Sequence, residues 1–426
     1  GQIINNDIFV ISASGSGRTN ITNNSADDIY PDWQRLAATP TPTPTPASAS
    51  VQFGQATYSF GEGVGSALIT VTRTGDTSGA ATVNYMTIDD PAAIRCDVVN
   101  GTAYARCDYA TTVDTLRFAA GEMLKTFAIS LINDAHVEGN ETFQIRLSEP
   151  TGATLGTQNT ATVTITDNDT AGAANPILTT AFFVRQHYLD FLSREPEASE
   201  PWSAILNNCP DPFNLDPRSA SAQCDRIQVS FSFFGSPEFR LKGFYVFIHY
   251  RVAFDRLAEY SEIVSDMRAV TGQTPADTSA RRAQFPVFFA QRAEFRQRYD
   301  ALSDTAFVAA LLDRYGLQSI TTPEPANPEG GVKVVLTRAD LVSRLGSGAL
   351  TRAQVLRAVV ESDEVSAAEF SRAFVAMQYY GYLRRMPEAG GYQSWLNHLA
   401  VNPNDSRTMV NGFMNSPEYR LRFGQP

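Results

Sequence analysis

The chain has 426 residues, 43% hydrophobic and 19% charged, with a formal net charge of −11. At about 100–200 residues per domain, that length argues for two to four domains. The composition is too apolar for a disordered chain and too polar for a membrane bundle. No run approaches the roughly 18 apolar residues of a membrane helix; the densest, residues 244–250, is interrupted by His249. No basic stretch followed by an apolar one marks a secretion signal. Gly1 stands in place of methionine, so a fragment or processed chain is expected.

The charge is uneven. Residues 1–50 carry 4 acidic and 2 basic residues, residues 51–170 carry 14 and 6, and residues 171–426 carry 27 and 26. Most of the acidity therefore sits in one middle segment. That argues against nucleic acid as a partner, and for a solvated acidic face or a cation site. Arginine outnumbers lysine 31 to 3. It is spread along the later segment, which reads as genome composition and not as a phosphate-binding patch.

Residues 1–38 begin with a short apolar strand, Ile8-Phe9-Val10-Ile11, then a Ser14-Gly15-Ser16-Gly17 turn and a second strand opening at Ile21-Thr22. The order Asp7 to Ile11, Gly15-Ser16-Gly17, Asn20-Ile21-Thr22-Asn23, Asp28, Pro31 and Trp33 resembles one repeat of a TolB-like β-propeller. One blade cannot bury its own face, so this segment is expected to be a remnant whose propeller lies upstream. Residues 39–46 alternate Thr and Pro, which favours extended polyproline II. The linker at 39–50 is expected to act as a spacer, with O-glycosylation as the other reading.

Residues 51–170 alternate with period two. Ile69/Val71, Val83/Tyr85, Leu116/Phe118, Phe127/Ile129/Leu131, Phe143/Ile145/Leu147 and Val163/Ile165 each place apolar residues on one face. With an opening strand near residues 51–53, about seven strands are expected, in an antiparallel β-sandwich. The motifs Tyr58-Ser59-Phe60-Gly61-Glu62-Gly63, Cys107-Asp108-Tyr109, Glu138-Gly139-Asn140-Glu141-Thr142-Phe143 and Ile165-Thr166-Asp167-Asn168-Asp169 resemble a Calx-β domain, in order and over the whole segment. The resemblance implies an immunoglobulin-like sandwich with calcium bound at one end in some members. It implies that Glu62, Asp90 or Asp108, Asp134, Glu138, Asp167 and Asp169 meet there. Glu62, Asp134, Glu138 and Asp167 fall on the family's ligand positions, and the backbone carbonyl of His136 is a further candidate. Asn133 and Asn168 stand where calcium-binding members carry aspartate, which implies weak affinity, toward roughly 10⁻⁴–10⁻³ M. The competing reading is an acidic, solvated loop end.

Residues 175–426 change to helical spacing, as in Val184, Tyr188, Phe191 and Leu192. An internal repeat lies within. Phe183-Val184, Tyr188, Phe191-Leu192, Arg194 and Pro196-Glu197-Ala198 match Phe374-Val375, Tyr379, Tyr382-Leu383, Arg385 and Pro387-Glu388-Ala389. Each copy, near 181–243 and 372–424, then reaches a tryptophan, Trp202 or Trp395, and a Ser-Pro-Glu helix cap at Ser236 or Ser416. The repeat resembles a bacterial domain of unknown function found in secreted haemolysin-type and surface-layer proteins. The resemblance implies location more than chemistry. The expected fold is thus multidomain: an all-β immunoglobulin-like sandwich followed by an all-α helical repeat domain.

Cys96 and Cys107 enclose ten residues, and Cys209 and Cys224 enclose fourteen. Neither pair has metal-binding spacing, so two local disulfides and an oxidising compartment are expected; four unrelated thiols are the alternative. The four histidines, His136, His187, His249 and His398, fall in no catalytic motif, and no catalytic residue or enzymatic role is expected. The dense aromatics of the helical segment read as core. The expected function is a non-enzymatic, calcium-stabilised adhesion or cell-surface module, secreted or displayed by a bacterium, with a cell-surface or matrix protein or a glycan as partner. The alternative is a carbohydrate-binding accessory region of a secreted enzyme.

Overall fold

The computed structural model describes residues 7–12, 14–22, 48–88, 95–272 and 274–425. The chain divides into two compact units, Gly1–Ala47 and Ser48–Pro426. In the first, β1 (Phe9–Val10) and β2 (Thr19–Asn20) form an antiparallel hairpin. Gly15 and Gly17 supply its left-handed turn at φ 78° and 76°. Phe9, Val10, Ile11 and Ile21 are exposed, so the hairpin builds no core of its own. A propeller repeat is not shown by this hairpin. Asp28, Pro31, Trp33 and the Thr-Pro tract lie outside the described residues.

The second unit opens with a sandwich of nine strands: β3 (Ser50–Phe53), β4 (Thr57–Gly61), β5 (Ser66–Thr74), β6 (Ala81–Ile88), β7 (Val113–Phe118), β8 (Leu124–Ser130), β9 (Glu141–Thr151), β10 (Thr154–Leu155) and β11 (Thr160–Thr166). They form a four-stranded sheet, β10-β3-β5-β8, and a five-stranded sheet, β4-β11-β9-β6-β7. The count exceeds seven because the opening stretch crosses between sheets near Gly54, making β3 and β4, and because β10 has only two residues. Alternation puts Ile69, Val71, Ile129, Ile145 and Val163 fully inside. Two pairings set the geometry of one end of the sandwich. β4 runs parallel to β11, with Gly61 opposite Thr166. β9 runs antiparallel to β11, with Glu141 opposite Ile165. The end of β4, the end of β11 and the start of β9 therefore emerge together.

From residue 176 the chain is helical, with one departure from an all-α reading. A ribbon of β12 (Ser319–Pro323) and β13 (Lys333–Thr337) pairs antiparallel. Its Ile, Val and Thr content favours extended backbone.

The two repeat copies follow one helix order. Helix Thr180–His187 runs into a π-turn at Tyr188–Leu192 and stops at Ser193, φ 55°. Helix Asp363–Gln378 does the same at Tyr379–Leu383, stopping at Arg384, φ 55°. Arg194 grips Glu238 through Nε and Nη2, at 2.7 and 2.8 Å. Arg385 grips Glu418 through the same two atoms, at 2.8 and 3.0 Å. Ser236 and Ser416 each accept the backbone N–H three residues on, at 3.1 Å. The Cys96–Cys107 and Cys209–Cys224 disulfides are both formed, and among the described residues no cysteine is free. Among the described residues no helix is long and apolar enough to cross a membrane.

Candidate metal centre

The acidic end of the sandwich is assembled from five chain segments. Glu62 follows β4, Asp108 lies between β6 and β7, and Asp134 follows β8. Glu138 precedes β9 and Glu141 opens it, and Asp167 and Asp169 follow β11. The parallel β4–β11 pair brings Glu62 to Asp169. Two sets of carboxylates offer oxygens all within 4.8 Å of one another: Glu62, Asp134 and Asp169, and Asp108, Asp134 and Glu138. Asp134 belongs to both.

Backbone hydrogen bonds hold this arrangement. Asp134 N–H donates to Glu62 Oε1 at 2.7 Å, and His136 N–H donates to Asp134 Oδ1 at 2.7 Å. Asp167 takes no place in either set. Its Oδ2 accepts the N–H groups of Glu138 and Gly139 at 2.9 and 2.8 Å, and its Oδ1 accepts that of Asp169 at 2.7 Å. It organises the loops that carry the other carboxylates. Asn168 Nδ2 donates to Asn133 Oδ1 at 2.9 Å, so the two asparagines satisfy each other beside the cluster. Asp90 lies outside the described residues. The His136 ring engages the helical region, with Nε2 2.9 Å from the Leu421 carbonyl.

The electrostatics are those of carboxylates pressed together out of water. Burial first, then the Asp134 charge, pushes Glu62 up to about 9. Burial raises Asp134 to about 8, with Asp169 adding repulsion. Burial and Asp134 raise Glu138 to about 9. Asp108 is driven well above the carboxylate range by burial and then by Glu141. Glu141, raised to about 7 mainly by burial, is a further member, absent from the ligand positions that the family resemblance implies. The sequence does carry a signal for it: Glu141 sits in phase with Phe143, Ile145 and Leu147 on the inward face of β9. Asp134 Oδ2 and Asp169 Oδ2 are buried with no hydrogen-bond donor. Only a shared proton or a cation lets such oxygens approach one another.

An all-oxygen, mostly carboxylate donor set suits a hard cation. Calcium oxygens lie 2.3–2.6 Å from the ion, so two ligands of one ion are at most about 5.2 Å apart. Both sets meet that limit. Glu62, Asp134 and Asp169 would hold one ion, and Asp108, Asp134 and Glu138 a second.

The same loops dock on the helical region. Arg185, in the first repeat helix, donates to the Leu131 carbonyl at 2.9 Å and the Gly65 carbonyl at 2.8 Å. Those two carbonyls flank the segments bearing Asp134 and Glu62. Ile132 is buried in the helical core and not in the sandwich core. Asn175 Nδ2 reaches the carbonyls of Arg420, Gly424 and Gln425 at 2.9, 3.2 and 3.2 Å, folding the last described residues against the loop. A side chain at Gly424 would come within 3.1 Å of the Ala135 Cβ.

Residues 46–169 match the family model of the Calx-beta domain. This segment is a Calx-beta domain. Residues 366–423 match the domain of unknown function DUF4214; this is the second repeat copy. The Calx-beta segment is 33% identical over 139 residues to sodium/calcium exchanger 1 of Bos taurus, covering 28% of this chain and 13% of the exchanger. It is 36% identical over 121 residues to sodium/calcium exchanger Calx of Drosophila melanogaster, covering 28% and 12%. It is 32% identical over 108 residues to adhesion G-protein coupled receptor V1 of Danio rerio, covering 25% and 2%. The similarity therefore spans a small part of each relative. Among solved structures, the apo form of the Calx CBD1 domain is 32% identical, covering 28% of this chain and 98% of that one, at a TM-score of 0.24.

Proposed function

We propose that the Calx-beta domain binds calcium through Glu62, Asp108, Asp134, Glu138 and Asp169. The ion neutralises repulsion among these groups and so stiffens the loops against which the helical repeats pack. The single observation that carries this reading is the pair of carboxylate sets meeting at Asp134, with buried oxygens lacking donors. Support also comes from relatives named as sodium/calcium exchangers. On this reading the chain is a non-enzymatic module, and its two disulfides suit an extracellular or cell-surface setting. Its partner is a surface or matrix protein or a glycan.

The test is thermal melting of the whole chain in EDTA, in millimolar calcium and in millimolar magnesium. At ten times Kd one ion adds about 1.4 kcal/mol. Calcium should raise the melting temperature more than magnesium does, and Asp134→Asn should remove the difference. Equal effects of the two ions would leave the acidic end as a solvated surface and sink the proposal.

A further inference from the structure

A second site lies in the helical region, away from the acidic end. A cavity of about 330 Å³ opens between the disulfide-closed loop of the first repeat and the capped helix of the second. That volume is within the roughly 300–1,000 Å³ range of small-molecule sites. Its walls are apolar, with Phe183, Ile227 and Met414 inside, and Leu178, Phe213 and Leu215 at the rim. The three rim side chains are 46%, 51% and 61% exposed, and the Arg226 guanidinium lies over the Phe213 ring, 4.2 Å from its centre.

The polar side chains in the walls are Arg226, Arg420 and three asparagines. Arg226 is buried, 5% exposed. It spends Nη1 and Nη2 on the carbonyls of Ile177 and Leu178, at 2.7 and 2.5 Å, and its buried Nε has no partner. Arg420 also lines the cavity and meets only a neutral group there, donating to Asn415 Oδ1 at 2.5 Å. Among the described residues, no carboxylate lines the cavity. Burial pushes Arg226 down to about 10, and the neighbouring Arg420 charge adds to the effect. Elsewhere in the helical region buried arginines have carboxylates, Arg422 with Asp190 at 2.9 Å and Arg357 with Glu329 at 2.7 Å, although in the sandwich the buried Arg73 is held by carbonyls alone. At this cavity the missing anion has room to come from outside.

We propose that this cavity binds a small organic monoanion with an apolar body, a medium-chain carboxylate, its head on Arg226 and Arg420 and its chain beneath Phe213 and Leu215. The Cys209–Cys224 disulfide holds the loop that supplies Phe213 and Leu215, so the wall is fixed before the ligand arrives.

The probe is octanoate, titrated calorimetrically into the whole chain in calcium, with octanol and octylammonium as controls. Saturable octanoate binding is expected, at least about tenfold tighter than octanol, with none for octylammonium. Arg420→Gln should weaken octanoate by about tenfold and leave octanol unchanged. Arg226→Gln also removes two backbone contacts, so Met414→Trp, which fills the cavity, is the second variant. With its melting temperature unchanged, it should abolish binding. No saturable heat up to about 10 mM octanoate, octanol binding as tightly as octanoate, or unaltered binding in a folded Met414→Trp would each overturn the assignment. The calcium reading stands or falls separately, because its readout is the melting shift in EDTA.

Discussion

The two halves of the large unit bury carboxylates in opposite ways. In the helical region each deeply buried acid meets an arginine. Asp190 faces Arg422 at 2.9 Å, Asp266 faces Arg292 at 2.6 Å, and Glu369 faces Arg251 at 3.2 Å. Asp225 is held by Arg407. At the sandwich end Glu62, Asp108, Asp134 and Glu141 are equally buried, yet the largest charge effects on them come from one another and from neighbouring carboxylates. An internal ion pair completes one region within the chain. The other, on the calcium reading, is complete only with a cation from solution. The charge map is the coarse image of this difference: 27 acidic against 26 basic residues after position 170, and 14 against 6 before it in the sandwich.

The sharpest way to break the comparison is to make the same substitution in both halves. Asp190→Asn leaves Arg422 buried beside a neutral amide. Loss of one partner of a buried pair costs about 3–5 kcal/mol, which denaturant unfolding should resolve. Asp134→Asn in EDTA should act with the opposite sign. It removes a carboxyl that burial and its neighbours force to hold a proton near neutral pH, and an amide oxygen can still accept the His136 N–H. Stability should rise by on the order of 1 kcal/mol. If Asp134→Asn in EDTA destabilises as Asp190→Asn does, the two regions are not built differently.

Acidity should separate the halves next. Without calcium, Glu62, Asp134 and Glu138 sit at about 9, 8 and 9 in the fold against ordinary values of 4.5, 3.8 and 4.5. A raised carboxyl contributes stability that is fully present below its ordinary value and lost as pH rises through the raised one. The calcium-free sandwich should therefore weaken from about pH 4 to about pH 9. His187 and His249 are lowered by burial from 6.5 to about 4 and about 3. They contribute stability that is present above their ordinary value and lost as pH falls toward the lowered ones. Amide exchange in EDTA between about pH 4 and pH 6.5, where both sets of groups act, read at Val163 for the sandwich and Val246 for the helices, should show opposite slopes.

The smallest effect tests the equivalence of the two repeats. Ser236→Ala and Ser416→Ala should each cost about 1 kcal/mol, and by similar amounts, since both caps span 3.1 Å. Unequal losses would show that the copies share a pattern but not an energetic role.

Local rules carried much of this protein in the sequence itself. Period-two alternation placed Ile69, Val71, Ile145 and Val163 inside a sandwich, because a pleated strand turns every second side chain inward. The Ser-Pro-Glu signatures marked two helix starts, because serine, proline and glutamate each suit a different position of the first turn. The spacing of the cysteines pointed to both disulfides, because short loops bring their ends together. What only the tertiary structure decided is what depends on contacts between distant segments. The parallel pairing of β4 with β11 set Glu62 beside Asp169 and left Asp167 to organise backbone. The start of β9 turned Glu141 into the cluster. Ile132 and His136 were committed to the helical region, and Arg226 was left without a carboxylate. None of these follows from periodicity, because each records which surfaces meet. That is settled by the packing of whole elements against one another and not by the local preference of any residue.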